Sequence, residues 1–431
     1  MKTTKLIQGL LGFIGFAFAA LGEDAQPLTL AQAHEAALKN HPRIAVAQLR
    51  ALAAHQVTRQ VQSGYFPTAT ANVVAVGAED ANTRLAASGG LNNSSVFERN
   101  AEGLTITQMI TDFGRTANLA GSAKLHAQAE EDNAIATREQ ILLEVDAAYY
   151  AALQARSVTL VAEQTVATRQ VLLEQVSAMT SNHLRSDLDL SFAQVNVEEA
   201  KLLLSRAQND SRGAFTQLSN LTGLPQNANF ALSEEPLPLE VATNVSDYVE
   251  AALKTRPDLL RLRDEKESAM RFAKAEKALH YPTLSASASV GVIPIGDHEL
   301  PNNYAAAGLN LSLPLFSGGQ FTARQKEAAL RAQAASESVR DQENNVIRDV
   351  RISWLNAQNA WDRYRITGRL LDNANLSFTL AEARYTNNLS SIVELNQAQL
   401  SKTAAEISYA NTKYEYLLRR SALDYQTGSL R

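Results

Sequence analysis

The chain has 431 residues, 45% hydrophobic and 6% aromatic, with 40 Lys and Arg against 45 Asp and Glu and no cysteine. A net charge of −5 with no basic stretch argues against a protein that tracks nucleic acid by neutralising phosphates. Zero Cys removes disulfides, thiol nucleophiles and Cys-ligated metal centres, and the length suits two or three ordinary domains or one very extended one.

Lys2 and Lys5 precede an apolar run from Leu6 to Leu21 that ends among small residues, Ala17, Ala19, Ala20 and Gly22. A short positive region, a greasy core and a small-residue end predict a secretory signal over residues 1–22. A membrane anchor is the alternative, but the run is short for a span. Losing the two lysines takes the net charge from −5 to −7. From Glu23 onward no apolar stretch is long enough for a transmembrane helix, so any membrane insertion must use strands.

The next signal is an internal repeat. Glu35 to Pro42 matches Glu250 to Pro257 at an offset of 215, and Pro67 falls on Pro282. Further on the offset becomes 205, pairing Val145–Tyr149 with Val350–Trp354, Asn182 and Leu184 with Asn387 and Leu389, and Thr222-Gly223 with Thr427-Gly428. This predicts a first repeat over 23–225, an inter-repeat linker over 226–244 and a second repeat over 245–431. The first half carries about ten extra residues between Val73 and Leu104, rich in Ser, Asn and Gly around 88–95, which read as a surface loop.

Both halves follow one plan. Short helices over about 29–39 and 43–64 lead to two strands, about 68–79 and 102–111, then to a long helix over 115–181 and another over about 188–220. The second half repeats this as 246–254, 258–279, strands about 283–293 and 307–316, then 320–386 and 391–424. A helix of that length spans about 100 Å, more than any globular core buries, so it belongs to a coiled coil or helical tube. The shorter helices, laid end to end, nearly match it. Each half then supplies one continuous and one composite rod, with both strands at the same end.

In the strands, Leu284, Ala286, Ala288, Val290 and Val292 alternate with Ser285, Ser287, Ser289 and Gly291, and Leu309 and Leu311 alternate with Asn310 and Ser312. Runs of about ten residues with small uncharged polar partners suit tilted membrane strands, one face on lipid and one on a water-filled lumen. Ser287 and Ser312 are expected on the water side, Ala288 and Leu311 on the lipid side. A soluble sheet packed on the helices would show the same alternation. Four strands cannot close a barrel, and an open edge is not tolerated in lipid. Two chains would give the smallest, side-chain-filled barrels, and three would give twelve strands with an open lumen.

These features resemble the TolC family of outer membrane efflux proteins. The residues that carry the likeness are Leu28-Thr29-Leu30-Ala31-Gln32-Ala33, Asn40-His41-Pro42, Tyr65-Phe66-Pro67, Tyr281-Pro282, Thr111-Asp112-Phe113-Gly114-Arg115, Pro314-Leu315-Phe316-Ser317-Gly318-Gly319, and Tyr385 through Leu400. The resemblance implies an α+β membrane protein: a trimeric twelve-stranded β-barrel, four strands per chain, continued by a twelve-helix periplasmic α-barrel with equatorial short helices. It further implies a homotrimer in outer membrane lipid, with a long periplasmic extension, that docks to a periplasmic adaptor and through it to an inner-membrane transporter. The expected function is a passive exit duct of a tripartite efflux pump for small molecules. Type I protein secretion, or less so a secreted coiled-coil structural protein, is the alternative.

By the same resemblance the periplasmic entrance closes where paired helices turn, and acidic rings there influence conduction. Glu394 matches one acidic position, Gln397 replaces the next aspartate, and Asp189 is the first-half counterpart of Glu394, with Asp187 beside it. Such carboxylates would favour cations at a pore entrance. The plainer reading is that Asp187, Asp189 and Glu394 cap a helix start. Adaptor docking is expected at the tips, Asn182, His183 and Ser186 in one half and Asn387, Asn388 and Ser391 in the other, with His183 and Asn388 where the family has a turn glycine. No G-x-S-x-G elbow, H-E-x-x-H pair or phosphate-binding glycine loop occurs. His34 and His41 read as polar surface residues, so no catalytic residue, cofactor, metal or nucleic acid is expected.

Overall fold

A computed structural model describes residues 28–76, 99–225, 231–295, 302–387 and 389–430. The signal segment 1–22, the polar stretch 88–95 and Asn388 lie outside the described residues. In chain order the elements are α1 (Leu30–Asn40), α2 (Pro42–Gln62), β1 (Thr68–Val76), β2 (Arg99–Thr111), α3 (Arg115–Ser181), α4 (Asp187–Thr222), α5 (Val245–Thr255), α6 (Pro257–Lys277), β3 (Thr283–Ile295), β4 (Asn303–Ser312), α7 (Gln320–Thr386) and α8 (Ile392–Gln426).

Local chemistry sets these boundaries. Thr29 and Gln32 form a reciprocal capping box at the start of α1, satisfying two backbone donors that the first turn leaves free. Pro42 and Pro257 open α2 and α6, where a missing N–H costs nothing. The two 67-residue helices follow Gly114 and Gly319, whose φ of 93° and 83° lets the chain turn from strand into helix. β4 was expected over 307–316 but ends at Ser312: Pro314 has no N–H for a ladder, and 313–316 run on as an exposed connection to α7. It begins earlier, at Asn303, because β3 extends to meet it.

The strands form one antiparallel sheet in the order β1-β2-β3-β4, so the central pairing joins the two halves of the chain. The helices form a layer of four rods. α3 packs on α2 and α4, and also on α6 and α8, while α7 packs on α6 and α8. The rod order is therefore α2/α4, α3, α6/α8, α7, with α2/α4 and α7 at the two edges. None of the described helices is long and apolar enough to cross a membrane.

At the equator the composite rods are joined by matching contacts. Asn40 donates to the Thr222 carbonyl at 3.2 Å, and its counterpart Thr255 donates to the Thr427 carbonyl at 2.7 Å. Tyr149, fully buried in α3, donates to the carbonyls of Leu28 and Ser233 at 2.8 and 2.6 Å, holding a parallel bridge between Leu28 and Leu232. Burial, reinforced by the Glu235 carboxylate, pushes its hydroxyl up to about 12. Trp354, which the repeat offset places opposite Tyr149, donates to the Ala242 carbonyl at 2.9 Å. Residues 231–244, read from sequence as part of a linker, are thus strapped across the rods, with Leu232 and Val241 buried. Ile141, Val145, Leu153 and Leu218 complete this core, each worth about 1.5–3 kcal/mol of burial.

His34 is not the surface residue its polarity suggested. It is largely buried against α3 and bonded to the fully enclosed carboxylate of Asp146. His41 accepts from the Arg43 amide at 3.3 Å as the cap of α2, and burial, followed by the Arg43 charge, lowers its pKa.

Candidate channel wall and entrance

Register divides the sheet into two chemically distinct faces. Thr68, Thr107 and Ser287 lie in one cross-strand row and Thr70, Thr105 and Ser289 in the next, with the Thr105 and Ser289 hydroxyls 3.0 Å apart. Ala69, Ile106, Ala288 and Ala307 make the intervening row on the opposite face, and Ala71, Leu104 and Val290 the one beyond. Ser287 and Ser312 share the polar face, and Ala288 and Leu311 the apolar one. The apolar face is not covered by the helices: Leu104, Val290, Leu309 and Leu311 are exposed.

Exposed aromatics cluster at the helix-proximal end of the strands: Tyr65, Phe66, Phe113, Tyr281 and Phe316. Such a girdle marks a membrane–water boundary. Phe113 has a φ of +53°, where its repeat counterpart Gly318 has +61°. A bulky residue held in that region is strained, and the turn is secured by Asp112, which accepts from the Thr116 amide and hydroxyl at 2.6 Å each.

The two edges of the chain differ. β1 leads out of the α2 edge rod and β4 leads into the α7 edge rod, so each side offers an unpaired strand above an unpaired rod. Leu188, Phe192, Val195 and Leu202 expose an apolar stripe at helical spacing on α4. Edges that differ can meet only head to tail, and such contacts give a ring where the rotation between copies closes.

At the end far from the strands, the two helical turns form one packed unit. Leu172, Val176, Tyr385, Ile392 and Leu395 share a small core. The Arg185 guanidinium lies 4.5 Å from the Tyr385 ring centre and donates to the Tyr385 carbonyl at 3.3 Å, tying one turn to the other. Burial raises the Tyr385 hydroxyl pKa. The turns repeat each other in detail. Asn182 and Asn387 both donate back to the carbonyl four residues earlier at 2.7 Å, and Ser186 and Ser391 both cap the following helix. His183, at a φ of +59°, takes the left-handed position expected of glycine.

The acidic residues are not gathered in one place. Glu394 and Gln397 line a groove of about 650 Å³ between α7 and α8, together with Leu370, Leu380 and Arg384. Asp187 and Asp189 sit in the first turn of α4, and Asp189 forms a reciprocal capping box with Ser186. Glu394 pairs with Arg384 at 3.0 Å, so within one chain its charge is balanced. Nothing in the sequence around Glu394 singled out Arg384; the signal that could have found it is the ten-residue spacing across a helical turn.

The profile of the family described as outer membrane efflux protein matches residues 33–224 and 248–429, nearly all of the described chain. The chain belongs to that family. Outer membrane protein TolC of Salmonella enteritidis is 23% identical over 447 aligned positions, covering 100% of this chain and 87% of TolC. Alkaline protease secretion protein AprF of Pseudomonas aeruginosa is 25% identical and covers 68% of this chain and 62% of AprF. Among solved structures, VceC of Vibrio cholerae superposes with a TM-score of 0.77 at 19% identity, covering 93% of this chain and 96% of that one. The MtrE channel of Neisseria gonorrhoeae gives 0.78 at 18% identity, covering 94% and 90%.

This outer membrane efflux protein therefore has the fold of the trimeric TolC-like channels, four strands per chain of a shared barrel above a helical tube. It is an exit duct of the outer membrane. The family is one of channels and not of enzymes. Among the described residues no three His, Asp or Glu gather as a metal site.

Proposed function

We propose that three copies of this chain close head to tail into a passive duct of a tripartite efflux pump that carries small molecules from an inner-membrane transporter and a periplasmic adaptor to the exterior. The observation that carries this reading is the pair of unlike open edges: β1 above α2/α4 on one side, β4 above α7 on the other. A lone sheet with bare edges has no place in lipid. Three copies give twelve strands, enough for a lumen lined by the polar face.

The helical tips are the docking ends for the adaptor. They lie farthest from the strands and expose matched leucines, Leu184 and Leu389, with Asn182, His183, Ser186, Asn387 and Ser391 around them. The pore entrance lies at the same end, with Glu394, Gln397, Asp187 and Asp189 near the axis. The likeness to AprF, whose name ties it to protease secretion, favours protein export as a second reading.

The assembly is tested by thiol crosslinking in a chain that has no cysteine of its own. Thr107 faces Ser287 within the chain. The repeat offsets carry that pair onto Ser312 and the partner subunit's Asn72. The double variant Asn72→Cys/Ser312→Cys is expected to give covalent trimers with a short bifunctional reagent, whereas Thr107→Cys/Ser287→Cys crosslinks only within monomers. Monomers alone from the first pair would refute the ring.

A further inference from the structure

Tyr304 is the one aromatic residue in the four strands. It lies on the polar face, in the row Asn72, Gly103, Gly291, Tyr304, next to the last pair of the β3–β4 ladder at the end far from the helices. Its neighbours across the sheet are two glycines with no side chain to meet it. A Cβ added at Gly103 would come 2.0 Å from the Tyr304 hydroxyl oxygen and 3.1 Å from Cζ, and one at Gly291 would come 2.4 Å from Cζ. The ring therefore lies flat across two strands.

Neither glycine has the positive φ that would demand glycine for its backbone, so at Gly103 space is the reason. Gly291 is also held by the Glu102 carbonyl, 2.4 Å from where its Cβ would be, whereas the Val290 carbonyl lies 3.1 Å from a Cβ at Gly103, which makes Gly103 the cleaner lever. On this face most neighbouring side chains are small: Thr105, Ser289, Ala306 and Gly308. A tyrosine standing upright among them would be the largest protrusion from the wall.

We infer that Gly103 and Gly291 form a recess that stows Tyr304 against the lumen wall, and that Tyr304 thereby sets the bore of the duct near its outer mouth. The inference rests on the proposed ring with its polar face inward, which places three copies of Tyr304 at one height around the axis. Filling the recess lifts the ring off the wall, toward the axis. The residue then controls the passage of solutes while touching none of the entrance machinery at the tips.

The test is single-channel conductance in planar bilayers. Gly103→Ala is expected to conduct less than wild type. Gly103→Ala/Tyr304→Phe is expected to return to wild-type conductance, because removing one oxygen leaves 3.1 Å as the nearest ring contact. Tyr304→Ala alone should conduct as well as wild type or better. Should Gly103→Ala fail to insert, recovery of insertion in the Tyr304→Phe double variant shows the same steric coupling. Unchanged conductance in Gly103→Ala, or a loss of conductance or insertion that persists in both double variants, with Phe and with Ala at 304, overturns the inference. Wild-type protein that forms no channel sinks the duct reading itself.

Discussion

Three glycines should respond in opposite directions to the same substitution. Gly223 and Gly428 end the two composite rods with φ of +68° and +67°, where a Cβ costs about 1–2 kcal/mol in backbone strain alone. At Gly223 the new Cβ would also lie 2.7 Å from the Asn40 Cβ, an atom fixed to its helix, so the equatorial junction must shift. At Gly428 the closest contacts are looser, 3.1 Å to the Thr255 carbonyl carbon and hydroxyl. Gly213 stands inside α4 with nothing within 4 Å, so alanine there should stabilise by about 0.5–1 kcal/mol through helix propensity. The expected order of stability is Gly213→Ala above wild type, then Gly428→Ala, then Gly223→Ala. Its extremes should differ by roughly 2–3 kcal/mol or more. Thermal unfolding in detergent, followed by far-ultraviolet circular dichroism at one fixed scan rate, reads the order directly. Adding Asn40→Gly to Gly223→Ala should relieve the clash but forfeit the Asn40–Thr222 bond, so only part of the loss returns. If Gly223→Ala and Gly213→Ala shifted the transition the same way, the junction would not be the close joint described.

Three further outcomes follow from single sites. Burial, then Asp264 and Glu131, raise Asp132 from 3.8 to about 6. The folded chain therefore holds this proton more tightly than the unfolded one, and stability falls as pH rises from about 4 through 6. Asp132→Asn should raise the unfolding temperature near neutral pH and leave it unchanged near pH 4; equal gains at both would exclude the titration. Arg324 binds the enclosed Glu276 carboxylate through two bonds of 2.7 and 2.9 Å. Arg324→Ala should cost about 2–3 kcal/mol, less than the ~3–5 of a fully buried pair because Arg324 is 42% exposed. The same melts read the loss, and an unchanged midpoint would mean that the pair adds nothing to stability. Single cysteines at Ser287 and Ser312 should react with a charged, membrane-impermeant thiol reagent entering the pore, while those at Ala288 and Leu311 stay protected. The reverse pattern would put the polar face outward.

Much of the helical layer was legible because its punctuation is chemical. The boundaries of α3 and α7 coincide with those expected from 67 residues without proline bounded by glycine on one side and a polar turn on the other. Period-two alternation likewise separated the two faces of the sheet. The tip was legible only in part. Ser186 and Ser391 announce helix starts locally, but the Arg185–Tyr385 contact spans 200 positions and has no local signature. Asp146 and His34 were hidden for the same reason: a polar residue's partner decides whether it is buried, and that partner lies on another rod. Glu394 looked like a bare charge because its neighbour Arg384 is across a turn.

The repeat also relates the contacts within the chain to those proposed between chains. Each unit supplies a hairpin, a continuous rod and a composite rod, and neither unit can pair its outer strands alone. Inside the chain, β2 of the first unit pairs with β3 of the second, and α3 packs on α6 and α8. By repeat correspondence β2 maps to β4, β3 to β1, α3 to α7, and α6/α8 to α2/α4. The contact between units inside one chain is therefore the template for the contact between chains, in which β4 and α7 meet the next copy's β1, α2 and α4. In the proposed ring six units then surround one axis through nearly the same interface, once within each of three chains and three times between chains. What distinguishes the between-chain copies is chemistry grafted onto one unit only, such as Tyr304 over its two glycines and Phe113 where Gly318 stands in the other half. A near six-fold scaffold marked at three-fold positions gives a duct whose strands repeat six times and whose Tyr304 recess repeats three times.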